Sequence, residues 1–360
     1  MPRQKGAIRL CTDRCMWAHP FTPAEDSEVF SSALEGWAKI HDRIHIWDYC
    51  VNFGHYVAPM PNMEVIAANI RYLAKHHVEG IMQQGNYQSP GGERELMRCW
   101  VIGKLLWDPT LDVWRLMHDF TFGYYGDAAP AVWKYNQLLE QAGRDHAASL
   151  ASPEGGIRYP MDSEFLSKQF LDEATALFAR AKATAESDEV LRRVELAELP
   201  LLYVKLCRGP EFVGQEYSAL TDRFEAIASR EGLTHLQEGP PDVAQKVKAW
   251  RDALRTHLAL QRVGEAAAKL HPLANSWRFA TDPKDEGAEK GWDKPSFDDT
   301  KWALVRSDKG SGWEAQGFAD YTGAGWYRQN FEVPAQPGGK RLYLFFEAVD
   351  EDASVYTREG

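Results

Sequence analysis

A chain of 360 residues, 26% of them charged, is long enough for two or three packed domains, and its formal charge of -11 disfavours nucleic acid or anionic membrane as a partner. A neutral or cationic ligand fits better. The five cysteines (Cys11, Cys15, Cys50, Cys99, Cys207) form no disulfide framework, residues 1–10 lack the apolar core of a signal peptide, and no apolar run approaches the length of a membrane span.

Residues 7–12, 43–50 and 78–82, the last running into Gln83-Gln84-Gly85, are short runs rich in Ile, Leu, Trp and Tyr and read as buried strands. Residues 28–39 and 63–76 place apolar side chains at helical spacing between them. Such alternation predicts βαβ units and a parallel sheet. Helices are expected next over 93–107, 113–122 and 129–142. Residues 152–156, Ser-Pro-Glu-Gly-Gly, have the composition of a domain junction. From Arg158 to about Leu270 the pattern is helical only, with Phe165, Phe170, Leu171, Ala174, Leu177 and Phe178 recurring every three or four residues, as in a bundle. After His271-Pro272 the composition turns to Trp, Gly, Asp and short alternating runs such as 341–346, which predicts β structure. Three strands do not close a parallel barrel, and residues 353–356 read as a strand just before the chain stops. The sequence is therefore expected to be a fragment at both ends.

Several separated motifs carry a resemblance. They are Ile46-Trp47-Asp48-Tyr49, Pro59-Met60-Pro61-Asn62, Gly80-Ile81-Met82-Gln83-Gln84-Gly85, Leu105-Leu106-Trp107-Asp108-Pro109 and Tyr124-Tyr125-Gly126. In this order they resemble a bacterial domain of unknown function allied to α-glucuronidase-type and hexosaminidase-like glycoside hydrolase barrels. The tail motifs are Trp277-Arg278-Phe279, Asp282-Pro283, Gly291-Trp292, Phe297-Asp298-Asp299-Thr300-Lys301-Trp302, Gln316-Gly317, Gly325-Trp326-Tyr327-Arg328 and Val349-Asp350. These resemble the jelly-roll, galactose-binding-like domain of β-galactosidase-like and β-glucuronidase-like glycoside hydrolases. The resemblance implies a multidomain α/β plus β protein. Residues 1–145 would be the C-terminal part of a TIM-type (β/α)8 barrel, 158–270 a helical bundle, and 272–360 an incomplete β-sandwich.

It also implies a glycoside hydrolase-like protein that hydrolyses or binds an oligosaccharide or polysaccharide, with no cofactor and no metal. The alternative is a non-catalytic glycan-binding or scaffolding protein. Glycoside hydrolysis needs two carboxyl groups flanking the scissile bond. Asp48, at a strand tip, is the candidate catalytic carboxylate, and its competing reading is a cap on the following loop. Asp13 is a weaker candidate of the same kind. Trp47 can stack on a pyranose face, and Tyr49, Asn52 and Tyr87 can contact sugar hydroxyls. Gln83 and Gln84 can bind a hydroxyl or acetamido group, although strand alternation lets only one of them point inward. Cys11, Cys15 and His19 have a spacing that invites zinc, but no fourth ligand stands nearby. In the tail, Trp313 and Tyr321 in a Gly-rich loop are the candidate glycan contacts. Asp298 or Asp299 is expected to accept backbone N–H groups in a turn.

Overall fold

The computed structural model describes residues 6–21, 28–149, 157–266, 273–307, 312–319, 321–332, 344, 346 and 353–357. The chain forms two compact units, Met1–Ala259 and Leu260–Gly360. The expected junction at 152–156, most of the run at 341–346 and Val349-Asp350 lie outside the described residues.

In the first unit, β1 (Ile8–Cys11), α1 (Glu28–Ala38), β2 (Ile44–Tyr49), α2 (Met63–Ala74) and β3 (Val78–Gln84) follow one another. The strands form a parallel sheet in the order β1-β2-β3. Alternation in β2 buries Ile44, Ile46 and Asp48 and leaves His45, Trp47 and Tyr49 partly exposed. Ile44 and Ile46 pack on Phe30 and Leu34 of α1 and Leu73 of α2, so these two helices cover one face of the sheet. The helix α2 buries Met63, Ile66, Ala67, Ile70 and Leu73, a stripe at three- and four-residue spacing. It stops short of the expected His76, and His77 takes a left-handed φ of 57° just before β3 begins.

The helices α3 (Glu95–Trp107), α4 (Val113–Tyr125) and α5 (Ala129–Ser149) come next, then α6 (Lys168–Ala183), α7 (Asp188–Cys207), the single turn α8 (Pro210–Val213), α9 (Tyr217–Glu231) and α10 (Val243–Ala266). Asp112, Ser167 and Ser187 cap α4, α6 and α7 by accepting from the amides of Arg115, Phe170 and Val190. A single core joins Leu139 of α5, Phe178 of α6, Tyr203 of α7, Phe224 of α9 and Trp250 of α10 to Trp17, Val57 and Met60 from the loops that follow β1 and β2. The bundle and the sheet-bearing region are thus packed through one interior.

The second unit holds an antiparallel sheet in the order β5-β4-β6, formed by β4 (Ser276–Asp282), β5 (Ala303–Arg306) and β6 (Ala324–Arg328). Phe279 is buried at its centre against Trp313, Phe318 and Tyr327, while Trp292, Phe297, Trp302 and Trp326 make a second aromatic cluster. Asp298 accepts from the amide and hydroxyl of Thr300, the turn expected from the sequence. Residues 353–357 carry no strand ladder, contrary to expectation. Tyr356 stacks instead on Trp326, with ring centroids 5.5 Å apart.

Candidate functional site

The two faces of the parallel sheet differ in chemistry, and register decides which side chain goes where. Cys11 pairs with Trp47, Trp47 with Met82, and Tyr49 with Gln84, so Arg9, Cys11, His45, Trp47, Tyr49, Met82 and Gln84 share the face opposite α1 and α2. The Trp47 indole N–H donates to Gln84 Oε1 at 2.5 Å, the Trp47 and Tyr49 rings stack at 6.5 Å, and the Arg9 guanidinium lies 5.9 Å from the Trp47 ring. The result is an aromatic platform with one fixed amide at its edge.

Asp48 lies on the other face. It is 4% exposed and accepts from Thr12 Oγ1 at 2.5 Å and Gln83 Nε2 at 2.8 Å. Burial holds its carboxyl above the ordinary range, against the opposing pull of the hydrogen bonds from Thr12, Gln83 and the Tyr49 backbone. The cavity beside it is about 20 Å³, lined by Thr12, Phe21, Asn62 and Asn69 among others. That is room for one water and not for a sugar ring. Asp48 and Trp47, neighbours in sequence, therefore do not share a site. Gln83 and Gln84 separate in the same way, Gln83 turning to Asp48 and Gln84 to Trp47.

Asn52 is buried, donating to Tyr159 O at 3.0 Å and accepting from the Gly54 amide at 2.9 Å, so it shapes the loop after β2. Tyr87 is 64% exposed beyond the C-terminal end of β3, and its hydroxyl donates to Glu238 Oε1 at 3.3 Å. Arg158 approaches the other oxygen of Glu238 at 3.8 Å. Burial, together with the charges of Cys11, Asp13 and Glu238, holds the Tyr49 phenol above its ordinary range, while Arg158 pulls the other way. Asp13, Tyr49, Tyr87, Arg158 and Glu238 thus gather around the C-terminal ends of the three strands, where open α/β sheets and barrels carry their sites. Sequence reading missed Arg158 and Glu238. Both lie in connections between helices, and no local pattern links them to the strands.

A buried ionic cluster fixes the loop after β2 from below. Arg94 contacts Glu93 at 2.5 Å and Glu140 of α5 at 2.8 Å, and it donates to Met60 O at 2.7 Å. Arg98 contacts Glu93 at 2.6 Å and donates to Asn62 Oδ1 at 2.5 Å. His55, in the same loop, meets the Tyr203 hydroxyl at 2.7 Å, and burial lowers its pKa to about 4, which keeps the ring neutral at physiological pH.

Cys11 is exposed, Cys15 is buried, and His19 Nε2 meets Ala147 O at 3.1 Å. Among the described residues no group of three or more His, Cys, Asp or Glu is placed to hold a metal, and no helix is long and apolar enough to cross a membrane. In the second unit, Trp313 packs on Phe279 at 5.3 Å and edge-on to Tyr321 at 5.7 Å. The Tyr321 hydroxyl donates to Ala324 O at 2.7 Å and accepts from Asp282 N at 3.0 Å. The polar end of Tyr321 is therefore already engaged within the sheet.

Comparison with known proteins adds a coarse statement of kinship. Residues 1–137 match the family model described as "Domain of unknown function (DUF4838)". A β-glucuronidase of Paenibacillus borealis is 28% identical over 88 residues, 24% of this chain and 15% of that protein. The chain therefore spans a small part of that relative's length. No solved structure matches. The similarity is to a glycoside hydrolase-related protein.

Proposed function

We propose that the first unit is the sugar-contacting part of a glycoside hydrolase-like protein, its three parallel strands forming one arc of a (β/α)8 barrel. The observation that carries this reading is the face opposite α1 and α2. There Trp47, Tyr49 and Gln84 form a stacked, hydrogen-bonded platform that runs toward Tyr87 at the C-terminal ends of the strands. A flat apolar ring edged by a fixed amide matches a pyranose, which has an apolar face and a rim of hydroxyls. Helices on the opposite face and the parallel strand order support the barrel reading.

Hydrolysis by two carboxylates belongs to the same proposal for the longer protein. A second reading, glycan binding without catalysis, is favoured by Asp48, the sequence-predicted carboxylate, which is bonded to Thr12 and Gln83 on the covered face. In the second unit a glycan-binding role for Trp313 and Tyr321 is proposed for the ring faces only. The test is titration of the chain with a panel of neutral and acidic oligosaccharides, followed by tryptophan fluorescence and calorimetry. Trp47→Ala is expected to weaken binding at least tenfold with little change in melting temperature. Equal affinity in wild type and variant would sink the platform reading.

A further inference from the structure

Glu238 lies far in sequence from the strands, in residues 233–242 between α9 and α10, yet this segment is stitched over the strand ends. Tyr56 N donates to Leu236 O at 2.7 Å, Glu238 N to Phe53 O at 3.1 Å, and His235 N to Ser89 Oγ at 3.2 Å. Gln88 Nε2 donates to Gly239 O at 2.6 Å, and Gln88 Oε1 accepts from Gly239 N at 3.2 Å. Within the segment, Leu236 N donates to Asp242 Oδ1 at 2.7 Å. Leu233 and Leu236 are buried in the bundle core and anchor it from beneath. The backbone on both sides of Glu238 is held, while its carboxylate faces solvent between the Tyr87 hydroxyl and Arg158.

We infer that Glu238 is a substrate-binding carboxylate that accepts hydrogen bonds from adjacent hydroxyls of a neutral sugar, with Tyr87 and Arg158 holding it in place. The inference rests on the sugar reading above and narrows it to a substrate class. An exposed glutamate on an ordinary loop would lose side-chain and backbone freedom on binding. Here the backbone cost is already met by folding, so the acceptor is preorganised. The charged groups that act on the Tyr49 phenol include Asp13 and Glu238, opposed by Arg158. With Arg9 against the Trp47 ring as a second guanidinium, Asp13 and Glu238 are balanced by Arg158 and Arg9, so the strand ends offer no unpaired charge to a ring that brings its own carboxylate and suit a neutral one. The sequence of the segment, Leu233-Thr-His-Leu-Gln-Glu-Gly-Pro-Pro-Asp242, suits a fixed turn, with Gly239 at a φ of 144° and two prolines following it.

The experiment uses the full chain with two probes, neutral xylohexaose or cellohexaose and the acidic hexagalacturonate, titrated into wild type, Glu238→Gln, Tyr87→Phe and Trp47→Ala. The expected result is binding of a neutral probe in preference to the acidic one, at least tenfold weaker in Glu238→Gln and a few-fold weaker in Tyr87→Phe. Neutral binding that falls in Trp47→Ala but is unchanged in Glu238→Gln overturns this inference and leaves the sugar platform standing. So does preference for the uronate with tighter uronate binding in Glu238→Gln. Absence of binding by every probe to the wild type overturns both readings. Should Glu238→Gln melt early, Tyr87→Phe carries the test, since its phenol is exposed and its loss leaves the backbone ties intact.

Discussion

Replacing Asp48 tests whether a strand-tip carboxylate is chemistry or scaffolding. Its two oxygens accept from Thr12 Oγ1 and Gln83 Nε2, and Gln83 Oε1 is buried without a hydrogen-bond partner. In Asp48→Asn the new carbonyl still accepts from Thr12. Rotation of the Gln83 amide then lets its oxygen accept from the new amide, which leaves the Gln83 N–H2 in place of the oxygen as the one group without a partner and removes a buried charge. The expected change at neutral pH is a gain of about 1 kcal/mol, the scale of one net hydrogen bond or a modest buried-charge penalty. For a unit of this size that is roughly 2–4 °C in melting temperature. Asp48→Ala instead leaves the Thr12 hydroxyl and Gln83 amide without an acceptor, a loss of about 1–3 kcal/mol, partly recovered if a water enters the neighbouring cavity. The pH dependence has a definite sign. Because the folded pKa is raised from 3.8, the fold binds the proton more tightly than the unfolded chain does. The stabilising effect of protonation is full below the unfolded pKa and is lost as pH rises through the folded pKa. The advantage of Asp48→Asn over wild type should therefore grow with pH across that window and shrink to nothing below it. Melting curves of the three proteins from acid to neutral pH measure this directly. An Asp48→Asn variant that melts several degrees below wild type at neutral pH would refute the scaffolding argument.

Two further perturbations follow from the same reasoning. Arg94→Met leaves Glu140 buried without its cation, while Glu93 keeps Arg98, so it should cost about 3–5 kcal/mol, and melting temperature should recover partly on acidification as Glu140 takes up a proton. A melting temperature that is unchanged and independent of pH would exclude the cluster as a support of the loop after β2. In the second unit, burial raises the Asp282 carboxyl but is outweighed by hydrogen bonds from the Glu286 and Gly287 amides and the Trp326 indole, so its pKa lies below 3.8. Its contribution is full above the unfolded pKa and is lost as pH falls through the depressed one. Asp282→Asn places an amide against those donors and should cost about 1–3 kcal/mol at neutral pH while removing that acid step, which calorimetry of the second unit would read.

The strand and helix alternation of the first region was legible because the apolar spacing is strong: residues 43–50 and 63–76 appear as Ile44–Tyr49 and Met63–Ala74. The parallel pairing followed from the same pattern. Strand alternation also foretold that Gln83 and Gln84 part company. What it did not foretell was the face of Asp48. That depends on which side of the sheet α1 and α2 occupy, and a period-two pattern is symmetric until a partner breaks it. Asn52 looked like a sugar contact because it is polar and close to a strand tip, yet its amide bonds Tyr159 O, more than a hundred residues away. In the tail, Tyr321 reads as exposed from its Gly-rich setting, but its hydroxyl bridges Asp282 and Ala324 across the sheet.

The same long-range ties make the helical region part of the candidate site. Asn52 bonds Tyr159, His55 meets Tyr203, and Tyr56 and Phe53 bond the segment that carries Glu238. Each contact joins the loop after β2 to the bundle, so the helices set the shape of that loop as well as burying apolar surface. Groups that are to bind a ligand are held best when a rigid shell locks them in place. Here the support is supplied by residues after 157, and the groups around the strand ends come from both parts of the chain. Asp13, Tyr49 and Tyr87 ride on the strands and their loops, whereas Arg158 and Glu238 ride on helix connections. A reading of the strands alone finds the platform and misses the two charged groups beside it.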